Sequence, residues 1–103
     1  MAIPNGYIMS AFYGAVPSGS AAGFNDVTAL VASQFESGTT TFTANNSTYG
    51  PDPDPGVVKT LLITYAWTNA TPLASGIYPL GSFCINTVAI AENNSVTLPN
   101  ISN

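Results

Sequence analysis

The stretch that most constrains the fold is Tyr49–Trp67, YGPDPDPGVVKTLLITYAW, because each of its halves suits only one kind of backbone. The second half, Val57–Trp67, is dominated by β-branched and aromatic residues, which favour the pleated surface of a strand. Successive side chains of a strand point to opposite faces. One face here carries only bulky side chains, namely Leu61, Ile63, Tyr65 and Trp67. We therefore predict a central strand over Val57–Trp67, with this face in the core.

The first half of the stretch is predicted to be a stiff, extended crossover that ends in a turn. Pro51, Pro53 and Pro55 each lack an amide hydrogen, fix φ and disfavour helix in the residue before them. Asp52 and Asp54 alternate with these prolines and would point the same way in an extended chain. They are the only carboxylate cluster in the sequence. Calcium would need further ligands from backbone carbonyls and waters, so we expect a solvated, metal-free turn.

The remaining chain predicts several short strands and one short helix. Alternating apolar residues predict strands over Tyr7–Tyr13, Thr39–Thr43, Phe83–Ala91 and Val96–Leu98. A helix is expected over Thr28–Gly38, with Thr28 as its N-cap and Gly38 just past its end, while Asn45–Thr48 is expected to turn. Strands and helices do not alternate. At 103 residues this predicts a single, mainly β domain: a small antiparallel β-sandwich or open barrel of five to six strands with one short helix.

Charge is scarce, and its pattern argues against several classes of function. The chain has one Lys, no Arg, no His and five carboxylates, for a net charge of −4. Nucleic acids and anionic membranes both attract clustered Lys and Arg, so neither is an expected partner. No apolar run approaches the roughly 18 residues of a membrane span, so no membrane insertion is expected. Met1–Pro4 lacks the features of a signal peptide, which leaves an intracellular chain or a mature form with an added Met.

The same inventory predicts a protein that is not an enzyme and that binds no cofactor or metal. Without His, neither Ser-His-Asp nor Cys-His catalysis can be assembled, and one Cys cannot fill a zinc site. Lys59 is expected to be solvated or ion-paired rather than a Schiff-base nucleophile. Cys84 lies between Phe83 and Ile85, and we predict a buried, inert thiol there.

Five residues near the crossover are candidates for contact with a ligand: Asn45, Asn46, Tyr49, Asp52 and Asp54. Amides, carboxylates and aromatic rings of this kind are typical of sugar-binding loops. Other aromatic side chains could form a stacking platform for sugars, although core packing is the expected role of most. Together with Tyr49, the five aromatic residues considered for this platform are Tyr7, Tyr13, Tyr78 and Trp67.

A series of short motifs runs along most of the chain. In order they are Tyr13-Gly14, Asp26-Val27-Thr28, Leu30-Val31, Tyr49-Gly50 with Asp52 to Gly56, Lys59-Thr60-Leu61 with Ile63 and Tyr65, and Val88 to Pro99. This order resembles the β-rich C-terminal domain of the DnaJ subfamily C member 11 family, from about Ala11 to Pro99. The resemblance implies a free-standing, fungal copy of a β domain without catalytic residues and without a J-domain. Family members carry more charge, and Phe83–Asn86 is longer and more apolar here.

Three functions are compatible with these features. The first is a structural or interaction protein that self-associates through a polar, uncharged β surface. Strand edges are normally guarded by Lys, Pro or inward charges, and the single Lys, Lys59, is expected on the central strand rather than at an edge. The Thr-rich segment Thr39–Thr43 is the expected open edge. The second is a carbohydrate-binding module, with a glycan rather than a second copy as partner. The third is an abundant fungal storage or taste-active protein.

Overall fold

The structure is a computed structural model that describes residues 5–14, 24–50 and 58–101. Within these ranges the elements are β1 (Gly6–Gly14), β2 (Phe24–Asp26), α1 (Thr28–Glu36), β3 (Thr41–Thr43), α2 (Asn46–Tyr49), β4 (Thr60–Trp67), β5 (Cys84–Ala91) and β6 (Ser95–Thr97). They form an antiparallel sheet in the order β2-β1-β4-β5 and a two-stranded antiparallel ribbon of β3 and β6. Neither sheet closes on itself. The predicted mainly β, antiparallel architecture is confirmed.

The predicted central strand is β4, which lies between β1 and β5. It begins at Thr60, later than the predicted start at Val57. Leu61, Ile63 and Tyr65 are fully buried, whereas Trp67 at the strand's end is partly buried. The bulky face therefore lies in the core, as predicted.

Strand β1 contains a bulge that the sequence pattern did not reveal. Its register with β4 shifts between Ile8 and Ser10, so that Met9 is an extra residue. The predicted alternation placed Met9 on the same face as Ala11 and Tyr13. That prediction is wrong, because one inserted residue turns the rest of a strand over. Ala11 and Tyr13 are fully buried, while Met9 is 43% exposed.

Helix α1 starts differently from the prediction. Thr28 was expected to be the N-cap, but it is the first helical residue, and the N-cap is Val27, which makes no side-chain cap bond. The Oδ1 atom of Asp26 instead accepts hydrogen bonds from the Thr28 hydroxyl at 2.7 Å and from the Thr28 N–H at 3.0 Å. These two bonds hold the pKa of the Asp26 carboxyl below its usual value.

The end of α1 agrees with the prediction. Gly38 has a φ of +107°, in the left-handed half of backbone space where glycine is favoured. Its N–H donates to the Phe35 carbonyl at 2.9 Å, and the Thr39 N–H donates to the Gln34 carbonyl at 3.0 Å. This pair of bonds is the Schellman arrangement, which satisfies carbonyls that the helix leaves free.

The core lies between one face of the four-stranded sheet and a layer formed by α1 and the β3–β6 ribbon. Val31 and Phe35 enter it from the helix, and Phe42 enters it from β3. Val96 of β6 is packed against this cluster, and Leu98, just beyond the strand, belongs to it. Neither described helix is long and apolar enough to cross a membrane.

Cys84 is exposed, so the prediction of a buried thiol is wrong. The prediction relied on its apolar neighbours, Phe83 and Ile85, but these are exposed themselves. Cys84 is the first residue of β5 and pairs with Trp67 at the end of β4, where Trp67 itself is only partly buried. Further along the same face, Ile90 is buried.

Candidate interaction surface

The structure describes three of the five residues predicted to contact a ligand. Asp52 and Asp54 lie outside the described residues, so the metal-free acidic turn remains a prediction. Asn45, Asn46 and Tyr49 form the cap and body of α2, a four-residue helix where the sequence predicted only a turn. The polar groups of these three residues make hydrogen bonds within the chain.

Asn45 acts as the N-cap of α2. Its Oδ1 atom accepts the Thr48 N–H at 2.7 Å and the Ser47 hydroxyl at 2.9 Å. Asn at an N-cap satisfies an amide that the first helical turn leaves without a partner. Because Asn is a favoured N-cap residue, Asn45 was the signal in the sequence that could have indicated this short helix.

Asn46 belongs to a polar network that joins four parts of the chain. The Tyr13 hydroxyl donates to Asn46 Oδ1 at 2.7 Å, and Asn46 Nδ2 donates to Glu92 Oε2 at 3.3 Å. Glu92 Oε1 accepts the Lys59 N–H at 3.0 Å and lies 3.7 Å from Lys59 Nζ. The sequence predicted that Lys59 is either solvated or ion-paired. Its side chain is buried and forms an ion pair with Glu92, so the second alternative is confirmed.

Tyr49 is buried beside this network. Its hydroxyl donates to Gln34 Oε1 at 3.0 Å, its carbonyl accepts from Asn25 Nδ2 at 2.9 Å, and its ring lies 5.8 Å from that of Tyr13. Burial raises the pKa of the Tyr49 hydroxyl, because an ionised phenolate is poorly solvated there. These contacts attach α1 and β2 to α2, which gives Tyr49 a structural role.

No group of three or more metal-ligating side chains comes together in residues 5–14, 24–50 and 58–101. Among the described residues, the carboxylate in this polar network is that of Glu92, which accepts hydrogen bonds from Asn46 and Lys59. These bonds connect β1 and α2 to the residues that flank β4 and β5.

The side of the four-stranded sheet that faces away from the core is uncharged along β1, β4 and β5. We call it the outer face; its members are Tyr7, Phe12, Leu62, Thr64, Ile85, Thr87 and Ala89. Strand register places them in cross-strand rows. The hydroxyl oxygens of Thr64 and Thr87 lie 3.0 Å apart and form a hydrogen bond. The face thus combines apolar side chains with hydroxyls that bond to one another.

Strand β5 is the long edge of this sheet. Among the described strands it pairs only with β4, over all eight of its residues and without a register shift. It contains no proline and no charged residue, and residues 60–91 as a whole contain no Asp, Glu, Lys or Arg. The segment Thr39–Thr43, which was expected to be the open edge, has only three strand residues, and these pair with β6.

An aromatic cluster lies at the end of the sheet where β1 and β5 begin. The ring of Phe83 is 5.7 Å from that of Tyr7 and 5.5 Å from that of Tyr78. Tyr7 is 53% exposed, and the adjoining loop presents Ile77 and Leu80 to solvent. Of the five aromatic residues considered as a sugar platform, Tyr7 is the most exposed to solvent. The sequence did not predict that Phe83 lies next to it.

Comparisons with protein-family models, with curated proteins and with solved structures found no match to this chain. The resemblance to the C-terminal domain of the DnaJ subfamily C member 11 family therefore stays a prediction that depends on short motifs. Function has to be inferred from the chain's own surface.

Proposed function

We propose that this chain is a non-enzymatic structural or interaction protein that associates with copies of itself through the uncharged surface of its four-stranded sheet. The observation that carries the proposal is the eight-residue edge strand β5, for which the described part of the chain supplies none of the usual protections against further pairing.

An edge strand presents a row of main-chain N–H and C=O groups that can template another strand. Natural sheets usually guard such edges with Lys, Pro, bulges or inward charges. The described part of this chain has its bulge in β1, and its one lysine, Lys59, is buried in an ion pair. Neither feature protects β5.

The charge distribution also favours association at this surface. Two copies of a chain with a net charge of −4 repel each other, so contact is favoured where charges are absent. Strands β4 and β5 lie wholly within the uncharged segment 60–91. Glu92 follows directly after β5, but its carboxylate lies 3.7 Å from the ammonium group of Lys59, which offsets its charge.

The absence of an enzymatic role is supported by what the reactive groups do. Glu92 is held by Asn46 and Lys59, and Asp26 accepts two bonds from Thr28 at the start of α1. Both carboxylates therefore act as structural acceptors. General acid–base catalysis needs a group held at a substrate and a pKa near the working pH.

Light scattering from micromolar to millimolar protein tests the proposal. Self-association predicts a mass that rises from one chain toward two or more over this range. Added salt should not weaken this association, because the contact surface is uncharged and salt screens the repulsion between the net charges of the two copies. A strict monomer throughout would overturn the proposal.

A carbohydrate-binding function is the second candidate, and the aromatic cluster favours it. An exposed Tyr7 ring buttressed by Phe83 could stack on the apolar face of a sugar. Binding on a glycan array that is lost in Tyr7→Ala but kept in Leu73→Ala, which truncates another exposed apolar side chain, would support this function. Binding that is unaffected by Tyr7→Ala would place the glycan elsewhere.

A further inference from the structure

We infer that two copies join β5 to β5 in antiparallel orientation about a two-fold axis through Thr87, merging two four-stranded sheets into one continuous sheet. This inference rests on the proposed self-association and adds the partner surface, its symmetry and its register. A two-fold contact is self-complementary, since each copy offers the same strand to the other.

The hydrogen-bonding direction along β5 identifies the groups available at the edge. The Glu92 N–H donates to the Lys59 carbonyl at 2.8 Å, so this N–H points toward the chain that leads into β4. Direction alternates along an antiparallel strand. The main-chain groups of Ile85, Thr87 and Ala89 therefore point away from β4.

The far end of β5 agrees with this assignment. Ala91 also points outward, and its carbonyl accepts the Asn94 N–H at 3.0 Å in the turn toward β6. No described main-chain hydrogen bond uses the outward groups of Ile85, Thr87 or Ala89. The available part of the edge is thus the stretch centred on Thr87.

Symmetry then restricts the register. In an antiparallel pair, residues that point toward the partner must stand opposite residues that also do so. Placing Thr87 opposite Thr87 sets Ile85 opposite Ala89 in both directions, and these three pairs would make about six main-chain hydrogen bonds. A register shifted toward Ala91 would need the Ala91 carbonyl to accept a hydrogen bond from the second copy, but this carbonyl already accepts the Asn94 N–H in the turn toward β6.

Side chains favour the same register. Thr87 already bonds Thr64 across the β4–β5 ladder at 3.0 Å. A Thr87–Thr87 contact would continue that row of hydroxyls into the second copy, and cross-strand threonine pairs stabilise sheets. The register also keeps like charges apart: the two Glu92 residues would be ten positions from each other, about 34 Å along the strands. That distance is well beyond the Debye length of about 8 Å at physiological salt.

Cys84, the single thiol of the chain, is exposed at the start of β5 and can report the register. In the inferred dimer the two Cys84 residues are six positions apart, or about 20 Å between Cα atoms. A two-fold axis at Ile85 would place them about 7 Å apart, and one at Ala89 about 34 Å apart. A nitroxide on Cys84 and dipolar electron resonance at millimolar protein would separate these cases.

A crosslinking experiment gives an independent reading. In a Cys84→Ser background, Thr87→Cys would bring two thiols opposite each other at a Cα separation of about 5.5 Å, which a disulfide can span. A mild thiol oxidant should then produce a covalent dimer. The matched variant Ala91→Cys should not crosslink, because Ala91 stands opposite Phe83 of the second copy.

We expect a single distance near 20 Å, allowing for the label arms, together with selective crosslinking at position 87. A dimeric mass with another distance, or with no crosslink at position 87, would overturn the register and leave self-association intact. A monomeric mass at millimolar protein would overturn both.

Discussion

Lys59 is the only cation of the chain, and it is buried beside Glu92. Breaking a buried ion pair by removing one partner destabilises proteins by about 3–5 kcal/mol. Glu92 also accepts the Lys59 N–H and an Asn46 amide hydrogen. We therefore expect Glu92→Ala to lower the free energy of unfolding by about 3 kcal/mol, measured by urea denaturation.

The control for that substitution is Glu36→Ala, which removes a carboxylate from the exposed last residue of α1. Surface changes of this kind usually fall within about 0.5 kcal/mol. Equal, small losses in the two variants would mean that the ion pair contributes little to the fold.

The buried hydroxyl of Tyr49 should make the free energy of unfolding depend on pH in the alkaline range. Burial raises the pKa of its hydroxyl in the folded chain above the ordinary value of 10.0. A raised pKa means that the folded state holds the proton more tightly than the unfolded state. Its stabilising contribution is complete below pH 10 and is lost as pH rises through the folded-state pKa.

We therefore expect the free energy of unfolding to fall more steeply above pH 10 in the wild type than in Tyr49→Phe. The variant should be less stable at neutral pH, because the bond to Gln34 is lost. The measurement is urea denaturation at closely spaced pH values. Parallel pH profiles would show that Tyr49 does not titrate as argued.

At the residue level, sequence patterns predicted burial well where a strand passes through the middle of the core. Leu61, Ile63 and Tyr65 are examples. Patterns failed for Cys84, because a strand's alternation says which face a side chain is on but not whether the core extends that far. The polar network of Asn46 and Glu92 could not be predicted from the sequence either, since its members are far apart along the chain.

At the level of elements, β4 is the strand on which the core depends. Ile63→Ala should cost about 2–5 kcal/mol, because the side chain is fully buried and the cavity left behind cannot fully collapse. Ile85→Ala is the matched control: it removes the same atoms from the neighbouring strand, where the side chain is 63% exposed. Comparable losses in both variants, measured by chemical denaturation, would show that the two faces of the sheet have been misassigned.

The sequence predicted where along the chain most strands and the helix lie, but it did not predict as well which strands pair with each other. The run of β-branched and aromatic residues predicted β4, and Gly38 predicted the end of α1. The bulge in β1 was not predictable, since Met9 fits an alternating pattern as an apolar residue. The open edge was expected at Thr39–Thr43, but residues Thr41–Thr43 pair with β6. This expectation was wrong because local composition does not say which strands become neighbours.

At the level of the whole molecule, the chain is asymmetric in charge. The described charges of Lys59 and Glu92 lie at the end of the sheet where β4 begins and β5 ends, while residues 60–91 contain none. The open edge of β5 and the outer face both belong to this uncharged part. Composition predicted a surface poor in charge, but only the strand order shows that β5 is its edge.

The most direct test of self-association through β5 is sedimentation equilibrium on wild type, Thr87→Lys and Ser33→Lys. Thr87→Lys should place two like charges opposite each other at the two-fold axis, weakening association at least about tenfold, or about 1.4 kcal/mol. Ser33→Lys adds the same charge on the exposed side of α1 and lowers the net repulsion equally, so it should associate at least as well as the wild type. Thr87→Val, which keeps a β-branched side chain but no hydroxyl, should still associate. Equal association of Thr87→Lys and Ser33→Lys would contradict the proposal that β5 forms the contact.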